Sequence, residues 1–127
     1  MHSPRRICLS ILLKMEKNLA FSNILLNDKL KSYDLSLQDK KFISALFYGV
    51  IERKLTLDMI ISKYSSKGVE TLNREVREIL RMGVYQLLYM DSVPDNAAVN
   101  ESVELAKQLN FKSATFKIPT FTVTLLS

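Results

Sequence analysis

Residues Asn73 to Lys107 read NREVREILRMGVYQLLYMDSVPDNAAVNESVELAK, and they decide the fold. Asn73 is a good N-cap, and a helix is expected from it to about Met90. Val76, Ile79, Leu80, Gly83, Val84 and Leu87 recur at helical spacing as its apolar face, with Arg74, Arg77, Arg81 and Tyr85 lining the other side. Pro94 and Asp95 suit the first turn of a second helix running to about Leu109. Its buried arc is Ala98, Val99, Ser102, Val103, Leu105, Ala106 and Leu109, small at the centre. Small side chains let two helix axes approach closely, and Gly83 is the natural counterpart on the preceding helix. A glycine inside a helix costs about 1 kcal/mol, which such an approach can offset. Asn100 and Glu104 fall on the outer side, and Glu101 at the edge of the arc is expected to meet Arg77 or Arg81. The run is a seam between helices, not an acid/base site, because no His, glycine-rich loop or metal ligand joins the two Glu.

The segments before it are helical too. Ser3-Pro4 offers an N-cap and a first-turn proline, and a helix is expected from Arg5 to about Lys17. Arg6, Ser10, Lys14 and Lys17 share one stripe of it, opposite Ile7, Cys8, Ile11, Leu12 and Met15. A short helix over about residues 21–31 should bury Ile24, Leu25 and Leu30. Ser36 caps the next, with Asp39 at its positive end and Phe42, Ala45, Leu46, Gly49 and Val50 inward. Gly49 is read as a second close approach of helices. Leu57, Ile60, Ile61 and Tyr64 mark a further helix, ended near Gly68 in the left-handed conformation. The expected fold is therefore all-α, a compact bundle of six or seven helices over residues 1–112. Residues 113–127 differ: Pro119 removes a backbone donor, and Phe121, Val123 and Leu125 alternate with Thr, so an irregular or extended tail is expected.

At 127 residues with 47% hydrophobic and 24% charged side chains, the composition is that of one soluble domain. No apolar run approaches the roughly 18–20 residues of a membrane span. Charged residues from Lys14 onward interrupt the apolar stretch after Arg6, which argues against a secretory signal and for a cytoplasmic protein. Cys8 is the only cysteine and His2 the only histidine. Disulfide frameworks, Ser-His-Asp and Cys-His catalysis and His-containing metal sites are thereby excluded, and Cys8 reads as a buried inert thiol. The net charge of +5 is unevenly spread: residues 1–17 and 107–127 each carry +3, and the body between carries −1. Basic ends on a nearly neutral body suit an anionic partner such as nucleic acid, or equally serve to keep the protein soluble.

Three segments together resemble the NusB-like all-helical domain. In that family a helix of the form E-V-R-x-I-L-R-x-G-x-Y-x-L precedes V-P-x-x-x-A-V-N-E-x-V-E-L-A-K. Glu75, Val76, Arg77, Ile79, Leu80, Arg81, Gly83, Tyr85 and Leu87 carry the first pattern here. Val93, Pro94, Ala98, Val99, Asn100, Glu101, Val103, Glu104, Leu105, Ala106 and Lys107 carry the second. The Asp39 to Ile61 run is similar to the family's D-x-x-F-x-x-x-L-V-Y-G-V-x-R-x-x-x-L-D segment, and the likeness extends over about residues 5–112. After Lys112 the chain departs from the pattern, because Phe116-Lys117-Ile118-Pro119 replaces the family's last helix.

The resemblance implies RNA binding and leaves two branches open. One is the free-standing transcription antitermination factor, which works with a ribosomal protein. The other is the N-terminal domain of the small-subunit ribosomal RNA (cytosine-5-)-methyltransferase, whose wording is closer at Phe47-Tyr48-Gly49-Val50 and Arg81-Met82-Gly83-Val84-Tyr85. No catalytic residue is expected in this chain: S-adenosylmethionine would belong to an absent catalytic domain, and Gly49, Gly68 and Gly83 lie too far apart for a cofactor loop. The candidate RNA contacts are Arg5, Arg6, Lys14 and Lys17 on the first helix, the region the antitermination members use for RNA, since Arg can pair phosphate oxygens in bidentate fashion. A second candidate surface is Arg74, Arg77 and Arg81 with Tyr85, where a base could stack. The competing reading makes those arginines helix–helix ion pairs and the domain a dock for a ribosomal protein or its own methyltransferase domain.

Overall fold

A computed structural model describes residues 3–16, 22–64 and 68–110. Six α-helices occupy them: α1 Pro4–Met15, α2 Ser22–Ser32, α3 Leu37–Glu52, α4 Lys54–Tyr64, α5 Arg74–Tyr89 and α6 Asp95–Gln108, with one 3-10 turn at Val69–Thr71. No strand occurs among the described residues, and the all-α expectation holds. The segment over which an irregular tail is expected, 113–127, lies outside the described residues, as does Lys17.

Local chemistry starts the helices where the sequence places them. The hydroxyls of Ser3 and Ser36 accept from the amides of Arg6 and Asp39, and the Asn73 side chain accepts from Glu75 N. Each cap satisfies one of the amides a helix start leaves orphaned. Gly68 has φ 85° and ψ 167°, a region essentially reserved for glycine, and it leads into the 3-10 turn instead of forming a left-handed cap.

α5 is the axis of the bundle, packed against α1, α3, α4 and α6. Its surroundings explain why its burial exceeds one apolar stripe: Glu78, Arg81 and Gln86 are buried beside Ile79, Met82 and Val84. A one-faced reading of α5 misses these because polar side chains can be buried when they satisfy one another. On α1, Leu9 joins the five expected apolar residues in the core. Two expectations fail at the edges. Ile24 is 56% exposed and Leu26 is the buried residue of α2, while Ala45 is exposed and Ile43 and Phe47 are buried on α3. α2 packs as an outer layer on α1, so its weak apolar pattern leaves the buried phase open. Cys8 is fully buried; burial, then the charge of Glu78, raises its thiol pKa, so it is an inert core residue.

The two helical glycines do different jobs. A Cβ on Gly83 would lie 2.9 Å from Ser102 Oγ, so α5 and α6 meet through that glycine as expected. Ser102 is buried there and spends its hydroxyl on the Ala98 carbonyl at 2.8 Å. Gly49 instead leaves room for one side chain: a Cβ there would overlap the ring of Tyr85 from α5. The expected close approach of helix backbones at Gly49 is thus a ring-in-slot contact. Gly49→Ala should cost about 1–3 kcal/mol in urea denaturation by forcing that ring out. Tyr85→Ala in the same background should recover part of the loss, and strictly additive effects would contradict the contact.

Candidate nucleic-acid interface

The cations of α1 divide by how they are held. Arg5 is half-buried: its guanidinium lies 4.9 Å from the centroid of Phe42, and its Nε donates to Gln86 Oε1 at 2.7 Å. Burial lowers its pKa, against the charge of Glu101 on α6, which raises it. Arg6 Nη1 donates to Gln108 Oε1 at 2.7 Å in an exposed contact, and Lys14 is exposed. Arg6 and Lys14 are about 12 Å apart along the axis at 1.5 Å per residue. Neither has a carboxylate partner among the described residues, so both charges remain available to an anion.

The α5 arginines are held differently. Arg74 Nη2 donates to the Leu13 carbonyl at 3.0 Å, and its Nε lies 3.5 Å from Glu16. Arg77 Nη2 donates to the same Glu16 Oε1 at 2.9 Å. Together they clasp the C-terminal end of α1, where helix carbonyls lack intrahelical partners. Arg81, only 6% exposed, takes both oxygens of Asp58 on α4 at 2.7 and 2.8 Å and Glu78 Oε2 at 2.8 Å. Burial works against its charge, but the bonds to Asp58 and the charge of Glu78 prevail and hold its pKa above the ordinary value. Arg77 and Arg81 therefore tie helices together and are not an exposed face. Arg74 alone of the three stays well exposed, at 44%. Glu101 is not their ion-pair partner: Arg77 pairs with Glu16 and Arg81 with Asp58 and Glu78, while the charge of Glu101 acts on Arg5. Tyr85 also leaves this surface, because Gly49 draws its ring toward α3.

Two carboxyls, Glu78 and Glu16, lie together beneath these ion pairs. Glu78 is 3% exposed and hydrogen-bonded to Glu16. Burial first, then that bond, pushes its pKa up to about 8 despite Arg81. The 2.8 Å contact with Arg81 would suggest an ionised Glu78, but a neutral carboxyl can still accept from Arg, more weakly, through its carbonyl oxygen. Its hydroxyl is then free for Glu16 Oε2, a buried oxygen with no other donor. Glu16 shows the opposite shift. Burial opposes its charge, but the bond from Glu78 and the neighbouring Arg77 and Arg74 outweigh it and lower its pKa. A cleft of about 490 Å³ opens above this pair between Leu12, Met15, Val50 and Leu55. Of its polar lining, Glu78 and Arg81 are bonded to each other, and among the described residues no three His, Cys, Asp or Glu are placed to hold a metal ion.

At the other end of α5 stands a group that pattern reading does not find. The rings of Tyr85 and Tyr89 are 5.3 Å apart, and the Arg53 guanidinium lies 4.1 Å from the Tyr89 centroid. Arg53 and Tyr89 come from two helix ends 36 residues apart in sequence, so no local motif links them. The only sequence signal is Gly49, whose missing side chain seats Tyr85 beneath them.

Comparison with known proteins places this framework. The profile of the NusB family matches residues 2–116. The chain is 38% identical over 105 residues to the probable ribosomal RNA small subunit methyltransferase B of Bacillus subtilis (strain 168), spanning 83% of this chain but only 23% of that protein. It is 31% identical over 113 residues to the transcription antitermination protein NusB of Ruminiclostridium cellulolyticum, covering 88% of this chain and 78% of the relative. In structure it superposes with a TM-score of 0.83 on a chain from the crystal structure of antitermination factors NusB and NusE in complex with dsRNA, at 17% identity and over 95% of this chain and 91% of that one. No helix of the described residues is long and apolar enough to cross a membrane. With the profile spanning most of its length and the six helices in the same arrangement, the chain belongs to the NusB family.

Proposed function

We propose that this chain is an RNA-binding domain that delivers ribosomal RNA to a 5-methylcytosine methyltransferase, with α1 as the contact surface. The observation that carries the reading is the division among the cations: those of α5 are largely spent on carboxylates, whereas Arg6 and Lys14 have none among the described residues. Arg5 and Arg74 flank them with partly available donors, and Lys17 continues the same stripe in sequence. The methyltransferase branch is supported by 38% identity over 105 residues to a protein of that name. A free-standing antitermination factor is the alternative, supported by a relative matched over 78% of its own length. Either role leaves room for a protein partner, such as the NusE found with a structural neighbour.

The chemistry of methyl transfer does not belong to these residues. A cofactor loop needs glycine-bearing backbone open to a ligand, but Gly49 is filled by Tyr85 and Gly83 faces Ser102. S-adenosylmethionine would be held by a catalytic domain, and this chain contributes binding and orientation.

The test is the double charge reversal Arg6→Glu with Lys14→Glu. Both residues lie outside the core, so the melting temperature should move by a few degrees at most. Affinity for ribosomal RNA fragments should fall about tenfold or more, and the slope of log K against log salt should flatten by roughly 0.7 per lost phosphate contact on single strands. An unchanged slope would remove α1 from the interface.

A further inference from the structure

We infer that the corner formed by Arg53, Tyr85 and Tyr89 is a stacking site for one unpaired RNA base, separate from the α1 cations. This rests on the RNA-binding reading above and deepens it. Three observations converge on the corner. First, its aromatic rings are fixed from below: the Tyr85 ring fills the slot that Gly49 leaves open, and Tyr89 stands 5.3 Å from it. Second, the outer ring is open: Tyr89 is 37% exposed, and Leu88 beside it 40%. Third, Arg53 is the one arginine among the described residues with no oxygen acceptor for its guanidinium. Arg5 and Arg6 have amide oxygens and Arg74, Arg77 and Arg81 have carboxylates, whereas Arg53 has only the face of Tyr89 at 4.1 Å. Five planar N–H donors are thus held in place by stacking alone.

Magnitudes favour exchange of the guanidinium for a base. An exposed cation–π contact contributes about 0.5–1 kcal/mol, whereas stacking of a nucleobase on a protein ring contributes about 1–3 kcal/mol. A base can therefore displace Arg53 from Tyr89. The released guanidinium can stack on the outer face of that base or bond its edge. The site suits a base more than a bare phosphate, because α3 and α5 both end here and helix C-termini carry partial negative charge. Glu52 and Lys54 flank Arg53 with opposite charges, so the local excess is the single charge of Arg53. Binding here should add affinity for single strands with little added salt dependence, unlike binding at α1.

The test compares the whole chain with its Tyr89→Ala and Tyr89→Phe variants. The probes are an unstructured oligoribonucleotide and a blunt RNA duplex of equal length, titrated across salt. Tyr89→Ala should weaken single-strand binding about five- to thirtyfold, the factor equivalent to about 1–2 kcal/mol of stacking. Its salt slope and its duplex affinity should match those of the wild-type chain. Tyr89→Phe keeps the ring and should retain binding, which a purely structural role of the hydroxyl would not explain. Melting curves should show both variants folded. Equal single-strand affinity in Tyr89→Ala and wild type, with α1-dependent binding intact, would overturn this corner alone. Absence of RNA binding by the wild-type chain at low salt would overturn the corner and the α1 reading together.

Discussion

Arg81→Ala should destabilise the domain by about 3–5 kcal/mol, the usual cost of removing one partner from a buried ion cluster. For a domain of this size that is a fall in melting temperature on the order of 15 °C. The guanidinium spans Asp58 on α4 and Glu78 on its own helix, with bonds of 2.7 to 2.8 Å and 6% exposure. Its removal strands the Asp58 carboxylate in a partly buried site and loosens α4 from the axis of the bundle. Arg81→Lys should recover only part of the loss, since an ammonium cannot hold both oxygens of Asp58 and reach Glu78 at once. Urea denaturation of the three proteins at one pH measures this directly. A loss below about 1 kcal/mol for the alanine variant would mean that the cluster behaves as a surface pair.

Stability should also fall as pH rises from about 5 to above 8, and Glu78 should be the cause. Its pKa is raised from 4.5 to about 8 in the folded chain. Between those values the folded state holds a proton that the unfolded chain releases. The contribution is therefore complete below about 4.5 and lost as pH climbs through 8. The slope should approach about 1.4 kcal/mol per pH unit, the value for a single proton. Glu16 acts with the opposite sign. Its lowered pKa stabilises the fold above the ordinary carboxylate range, and that contribution is lost as pH falls through its folded value. The two together place the optimum on the weakly acidic side. Glu78→Gln mimics the protonated acid, its amide donating to Glu16 while its carbonyl accepts from Arg81. The variant should match the wild type near pH 5, exceed it at pH 8.5, and show little slope between. A variant less stable than wild type at pH 8.5 would mean that the fold does not raise the pKa of Glu78.

The helices and their caps were legible because their signals are local: Ser3-Pro4, Ser36 and Asn73 each start a helix at the residue that the structure caps. The Gly83 seam was legible as well, because small residues four apart on α6 announce a close approach. The α5 arginines were only half legible. Helical spacing puts Arg74, Arg77 and Arg81 on one face, but spacing cannot show that Glu16 and Asp58 come from other helices to meet them. Glu101 escapes sequence reading for the same reason: its position on α6 fixes a direction, and the charge it acts on there is Arg5, not Arg77 or Arg81. Tyr85 lies one turn beyond Arg81 on the same side of α5, but its ring is taken up by the slot at Gly49, which depends on the α3 crossing. Long-range pairings of this kind leave no periodic trace in one sequence.

The central claim is that α1 presents unpaired positive charge to RNA, and one titration tests it most directly. Labelled fragments of small-subunit ribosomal RNA are titrated with the whole chain by fluorescence anisotropy at several salt concentrations. Binding should weaken linearly in log K against log salt, with a slope corresponding to at least the two phosphates within reach of Arg6 and Lys14. No binding at low salt, or binding indifferent to salt, would contradict it and leave protein docking as the role of this domain.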